Sequence, residues 1–334
     1  MDTNSKGANI YRIQNNRTSE IGSTDDTVPF FFRILYVDKG GKNIYAKYYK
    51  AGSLSLYRIE NEGPIKKIFT MPQGIGDISI SPRGDKVIIF DDTGTIFLGD
   101  LSDDSVNNIT DIISLDNKSP AAENITWSPD EKYIAFTIVT DLSSIKNHNK
   151  YTIYTEVYAI DLSSRQMYKL TDVALGCGYP EWSISGKWIA VSCVGEADPS
   201  QKLILVANDG TVSKTISCEK DNSKAGYPGT YSWSPDGNYL AYICQSSMQS
   251  FLYYSLADGS NGRLVPFPST MNITDISEVV WTPDSKSLVM LGTDFLNDTP
   301  EEKVFFANLD GSYVKVLNEG LSEYHDLHVY EDGN

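Results

Sequence analysis

The stretch WSPDGNYLAYI, Trp233 to Ile243, sets a tight polar turn between two apolar runs. Near-copies stand elsewhere in the chain: WSPDEKYIAFT from Trp127, WSISGKWIAVS from Trp182, WTPDSKSLVML from Trp281 and ISPRGDKVIIF from Ile80. In the turn, Pro presets φ, Asp hydrogen-bonds its own backbone and Gly accepts positive φ. The flanks alternate β-branched and aromatic residues, as in YIAFTIV and YLAYI, which is the period of a strand. A hairpin rewritten along the chain is a repeat, and its spacing decides the fold.

Aligned on the turn, the equivalent positions are Lys39, Pro82, Pro129, Ile184, Pro235 and Pro283, separated by 43 to 55 residues. A period of that size with strand content predicts a β-propeller rather than a solenoid. Each unit reads as four strands. In the fifth, GTYSW is strand A, NYLAYI strand B, SFLYYSLA strand C and GRLVPF strand D. The C–D turns use Asp-Gly, in LADGSNG, NLDGSY and ANDGTV, a strong hairpin signal. Blades are expected over 30–70, 74–112, 123–171, 178–217, 229–265 and 277–318, within one domain covering 1–334.

The two ends add pieces of a further unit. NIYRIQNNRTSEIGST matches SLYRIENEGPIKKIFT as a C–D pair, and LHVYEDGN matches ISISPRGD as an A strand entering its turn. The sequence therefore predicts an all-β, seven-bladed propeller whose closing blade joins 8–23 to 324–334. Six blades is the alternative. Pairing both termini in one blade removes an exposed sheet edge. Because the sequence ends inside that last turn, either the polypeptide continues past Asn334 or the closing blade is incomplete.

The turn words WSPDG, WSPDE and WTPDS, followed by YIAF or YLAY and later by VYAIDLSSRQMYKLTD, resemble the TolB-like propeller repeat. Similar blades occur in the propeller of prolyl-oligopeptidase-type enzymes. The resemblance covers most of the chain and is specific for fold, whereas propellers carry many activities. It implies a protein-binding or ligand-binding propeller outside the cytoplasm. TolB has an additional α/β domain, for which this chain has no room, and the peptidases have a hydrolase domain that is absent here.

At 40% hydrophobic and 22% charged residues, the composition is too apolar for general disorder. The longest apolar runs are as short as VPFFF, Val28 to Phe32, so no membrane span is expected. MDTNSKGAN lacks the apolar core of a secretory signal. The formal charge of −16 repels phosphate backbones and argues against nucleic acid, while suiting a cationic partner or a divalent cation.

Catalytic motifs do not emerge. No G-x-S-x-G elbow or H-E-x-x-H motif occurs, and GIGDIS at Gly74 is one residue short of a dinucleotide fingerprint. Of the three histidines, His325 and His328 would face opposite sides of a strand, and His148 falls in a polar loop. DGSNG lacks the later ligands of a calcium loop. The sequence thus predicts no catalytic, cofactor-binding or metal-binding residues. Trp127, Trp182, Trp233 and Trp281 share one repeat phase and are expected between blades, with Trp188 also in the core.

Four cysteines are more informative. With Trp182 opposite Trp188 in the fourth A–B hairpin, Cys177 falls across from Cys193. Cys244 holds the phase of Cys193, and Cys218 begins the D–A connection on the same side. Disulfides Cys177–Cys193 and Cys218–Cys244 are expected, consistent with an oxidising compartment, against the alternative of four thiols. Departures from the repeat mark candidate binding loops. The third unit carries a long B–C loop with Asp141, Lys146, His148 and Lys150. The sixth expands at Asp294, Phe295 and Asp298, and Tyr227 stands in the CEKDNSKAGYPG connection. B–C and D–A loops leave one face, where propellers place recognition. The expected function is a non-enzymatic extracytoplasmic scaffold binding a protein or glycan through that face or a central funnel. The alternative is a propeller enzyme, such as a polysaccharide lyase, or a hydrolase accessory domain.

Overall fold

In the computed structural model of the protein, the described residues are 9–14, 17–23, 32–38, 43–50, 53–60, 65–71, 76–91, 95–103, 105–109, 122–141, 154–171, 175–195, 201–211, 213–216, 218, 227–245, 249–269, 271, 273–294 and 301–317. All regular structure among them is strand. β1 (Asn9–Gln14) and β2 (Arg17–Ser23) form a two-stranded hairpin. Six four-stranded antiparallel sheets follow. They are β3–β6 (Phe32–Val37, Asn43–Lys50, Ser53–Glu60, Ile65–Thr70), β7–β10 (Asp77–Ile80, Lys86–Phe90, Ile96–Asp100, Ser105–Asn108) and β11–β14 (Ala122–Trp127, Tyr133–Asp141, Tyr154–Asp161, Met167–Lys169). The others are β15–β18 (Leu175–Trp182, Trp188–Gly195, Gln201–Ala207, Ser213–Ile216), β19–β22 (Tyr227–Trp233, Tyr239–Gln245, Ser250–Leu256, Arg263–Leu264) and β23–β26 (Ile273–Trp281, Ser287–Asp294, Glu301–Asn308, Val314–Val316).

Every sheet is a meander in chain order, the A–B–C–D unit read from the sequence. The fold is therefore an all-β propeller of four-stranded blades. Six full sheets match the six-bladed alternative. Of the expected closing blade only the β1–β2 hairpin is described, and 324–334 lie outside the described residues. Packing groups the chain into two compact units, 45–58 with 66–215, and 1–44 with 59–65 and 216–334. No described helix is long and apolar enough to cross a membrane.

The repeated letters each have a structural task. In the third sheet the Ser128 hydroxyl donates to the Asp130 carboxylate (2.7 Å) and accepts the Tyr133 N–H (2.9 Å). Ser234, Asp236 and Tyr239 repeat this geometry, and Thr282, Asp284 and Ser287 reproduce it with threonine. Ser81, Ser128, Ser183 and Ser234 are at most 1% exposed, so losing the hydroxyl would strand a buried N–H. Behind them sits the left-handed position, held by Gly84, Glu131, Gly186, Gly237 and Ser285.

Cores lie between successive sheets within each unit. Phe90, Ile88 and Ile96 of the second sheet pack with Trp127, Phe136 and Ile138 of the third. Trp182, Ile189 and Val191 of the fourth meet Ala135, Val157 and Ala159 of the third. In the other unit Ala241, Ile243 and Leu252 meet Trp281, Met290 and Phe305. Trp127, Trp182, Trp233 and Trp281 are each 4–5% exposed, as their shared phase predicts. Tyr133 stacks on Trp182 (6.1 Å) and Tyr239 on Trp281 (5.8 Å), so the first residue of one B strand meets the tryptophan of the next A strand. Trp188 differs from expectation. It is only half-buried, covered by the Lys214 ammonium at 5.0 Å from the ring centroid.

Two of these boundaries carry a further pair of fastenings. The Trp127 indole donates to the Ser79 carbonyl (3.2 Å), and the Trp281 indole to the Ser232 carbonyl (2.9 Å). The side chain at the left-handed turn position also reaches back to the preceding turn: Glu131 accepts the Arg83 N–H (3.1 Å), and Ser285 accepts the Asp236 N–H (2.9 Å). Glu131 additionally takes the Lys86 ammonium at 2.8 Å.

A bulge interrupts strand A at similar depth in four sheets, between Glu123 and Thr126, Gly178 and Glu181, Pro228 and Tyr231, and Ile276 and Glu278. The freed groups turn to the neighbouring sheet. Ile125 N–H donates to Asp77, and the Ser277 carbonyl accepts from the Thr230 hydroxyl. In the second sheet β7 pairs without a bulge, and buried Asp77 also holds Lys47 and the Ile78 N–H.

Two outcomes follow for stability. Trp127→Phe or Trp281→Phe costs about 1 kcal/mol more than Trp182→Phe, because the Trp182 indole N–H is buried without a partner and gives up no hydrogen bond; urea melts of the three variants check this. Burial alone would raise the Glu131 carboxyl, yet the Lys86 hydrogen bond, the Arg83 N–H and both positive charges hold it below the ordinary range. Its folded pKa being depressed, its stabilisation is present above the unfolded value of about 4.3 and fades as pH falls through the folded value. Glu131→Gln therefore lowers the urea midpoint at neutral pH, and the gap from wild type narrows on acidification.

Candidate binding site

The four cysteines pair as the hairpin register predicts. Cys177 and Cys193 are bonded with Cα atoms 4.1 Å apart, and Cys218 and Cys244 with 5.8 Å. The detail differs instructively. Trp182 stands opposite Ile189 rather than Trp188, and the bulge between Gly178 and Glu181 shifts the register by one. That shift brings Cys177 across from Cys193. Each bond ties the end of a B strand to the start of an A strand or to the connection leading into it. Both therefore lie at the end of their own sheet from which B–C and D–A loops depart.

Among the loop candidates, Asp141 ends β12 opposite Tyr154, and Tyr227 opens β19 opposite Gln245. Asp294 ends β24, is 4% exposed, and accepts from the Lys303 ammonium at 3.1 Å. That pair anchors the base of the loop that follows. Lys146, His148, Lys150, Phe295 and Asp298 lie outside the described residues, as do His325 and His328. Among the described residues no three His, Cys, Asp or Glu side chains gather as a metal site.

At the opposite, turn-bearing end, two clefts open where the third and fourth sheets meet. One, of about 350 Å³, is lined by Asp130, Tyr133, Trp182, Ile184, Gly186 and Asn208, among others. The second, of about 340 Å³, shares Tyr133 and Asn208 and adds Asp161, Gln166, Tyr168 and Asp209. Tyr133 and Trp182 stack in the wall of the first, and beside the second the Tyr168 hydroxyl donates to the Asn208 carbonyl at 3.1 Å. Burial, then the negative surroundings of Tyr133, Asp161 and Asp209, push the Tyr168 hydroxyl up to about 12. The Ser163 hydroxyl and the Ser164 and Ser163 N–H groups hold Asp161 down at about 2. The Thr211 hydroxyl and N–H lower Asp209 below the usual carboxylate range. At neutral pH both carboxylates are charged.

Sequence reasoning does not gather these residues as a site, because Asp130, Asp161, Asn208 and Asp209 are ordinary turn or strand-end residues and Trp182 is expected only as inter-blade packing. One signal was available: WSISG replaces the Pro-Asp of its sister turns, and Ile184 is 50% exposed in the Pro position.

No protein-family model matches the chain, and no curated protein sequence does. Solved structures do. An oligogalacturonate lyase from Vibrio parahaemolyticus aligns with 96% of this chain and 89% of its own, at 14% identity and a TM-score of 0.69. An oligogalacturonate lyase in complex with manganese aligns over 93% and 85%, at 15% identity and 0.66. TolB from Acinetobacter baumannii aligns over 86% and 66%, at 15% identity and 0.51. The likeness is one of fold. It includes TolB, the family the turn words resemble, and enzymes alike.

Removing either disulfide, as Cys177→Ser/Cys193→Ser or Cys218→Ser/Cys244→Ser, lowers stability by about 3 kcal/mol for loops of this length. Denaturant titrations with and without reductant check it, with wild type in reductant approaching the variants.

Proposed function

We propose that the chain is one TolB-like, non-enzymatic propeller that works outside the cytoplasm and binds a protein or glycan through the loops at the disulfide-tied ends of its sheets. The observation that carries this reading is the pair of disulfides, both placed where those loops leave their sheets. Disulfides persist in oxidising compartments and are rare in the cytosol. Tying the loop bases reduces the ordering cost on binding, which otherwise subtracts from affinity. The Asp294–Lys303 pair supports the same end of the sixth sheet.

The fold likeness to oligogalacturonate lyases favours a second reading, a polysaccharide lyase acting on acidic sugars. The two readings separate cleanly. A lyase leaves an unsaturated sugar that absorbs ultraviolet light, and a binding module leaves the glycan intact.

Glycan arrays and pull-downs from an extracytoplasmic extract are expected to return a ligand whose retention falls in Lys146→Ala/Lys150→Ala and after reduction. Incubation with oligogalacturonate, with and without manganese, is expected to give no rise in absorbance. A rise would establish the lyase reading instead.

A further inference from the structure

The boundary between the third and fourth sheets lacks both fastenings found between the second and third sheets and between the fifth and sixth. At the left-handed turn position Gly186 replaces Glu131 and Ser285, so no side chain reaches back to the Asp130 N–H. A Cβ added there would find only Pro129 Cδ, at 3.9 Å. The Trp182 indole N–H, which its counterparts give to a backbone carbonyl, is buried and unpartnered although Trp182 lines the opening. The first cleft is lined by both Gly186 and Trp182, and it shares Tyr133 and Asn208 with the second, so that the two form one groove.

The lining of that groove is one-sided in charge. It contains Asp130, Asp161 and Asp209 and no Lys or Arg. Asp130 is paired with Lys132 at its rim (3.2 Å), whereas Asp161 and Asp209 accept only local serine and threonine donors among the described residues. Tyr133, Tyr168 and Trp182 supply aromatic surface between the carboxylates. A planar cation over such rings, with carboxylates at its edge, gains from both. Hydroxylated neutral ligands would leave the two charges without use.

We propose that this groove binds an arginine-bearing segment of a partner protein, its guanidinium lying against Tyr133 and Tyr168 and reaching Asp161 and Asp209. An acceptor on the segment takes up the Trp182 indole N–H as the ring adjusts. The site stands at the turn end of the sheets, apart from the loop end, so it goes beyond the binding role proposed above and survives or fails independently of it.

The test uses the full chain and a fluorescein-labelled peptide alternating arginine and glycine, read by fluorescence polarisation. Its counterpart alternating glutamate and glycine is the negative probe. Asp161→Asn/Asp209→Asn is expected to weaken arginine-peptide binding about tenfold, two exposed ion pairs' worth. Asp100→Asn/Asp103→Asn makes the same change in net charge on the second sheet's turn and is expected to leave binding unchanged. Trp182→Phe, which surrenders no hydrogen bond within the protein, is expected to weaken binding while retaining the fold by circular dichroism. Equal losses in the two double variants would reduce the effect to overall charge and overturn the proposal, as would a groove variant that binds like wild type.

Discussion

The structure depends on one requirement: each four-stranded meander has flanks that are apolar and must be covered by the next. A single such sheet cannot bury Trp127 or Trp281, and the repeat exists to supply the covering neighbour. The tryptophan fills the gap, the tyrosine at the start of the preceding B strand stacks on it, and the turn serine satisfies the N–H groups that this close packing removes from water. Changing any one of the three weakens the other two.

That requirement explains why the fold is so readable. Trp, Ser, Pro, Asp and Gly recur at fixed offsets because each meets a local demand, and local demands leave marks in the sequence. The four strands of each sheet and the cysteine pairing follow from such marks. The bulges do not. They fall at Asn124–Ile125, Tyr179–Pro180, Gly229–Thr230 and Ser277, positions with no residue type in common. A bulge answers to the neighbouring sheet, as Ile125 answers to Asp77 about fifty residues earlier. The Trp182–Trp188 pairing expected from a regular hairpin missed by one residue next to the turn, and the cysteines came out opposite because the bulge beyond it supplied the missing step.

The groove is illegible for a related cause. Its first cleft opens where Gly186 and Trp182 omit what Glu131, Ser285, Trp127 and Trp281 supply elsewhere. A glycine in a turn is the expected residue when one hairpin is read alone. Only the comparison of successive boundaries shows that glycine omits a fastening used elsewhere. The loop candidates carry the opposite lesson: length differences mark them in the sequence, yet the one described side chain among the sixth-sheet candidates, Asp294, is turned into an ion pair at the loop's base.

The bulged A strands have a consequence during synthesis and refolding. Strand A is an outer strand of its sheet, with one row of backbone groups unpaired by that sheet. A straight outer strand of this composition would template β-addition by another chain. Four sheets carry a kink there, and the unkinked β7 carries a buried carboxylate at Asp77 instead. Both devices discourage intermolecular zippering while half-made molecules wait for their remaining blades.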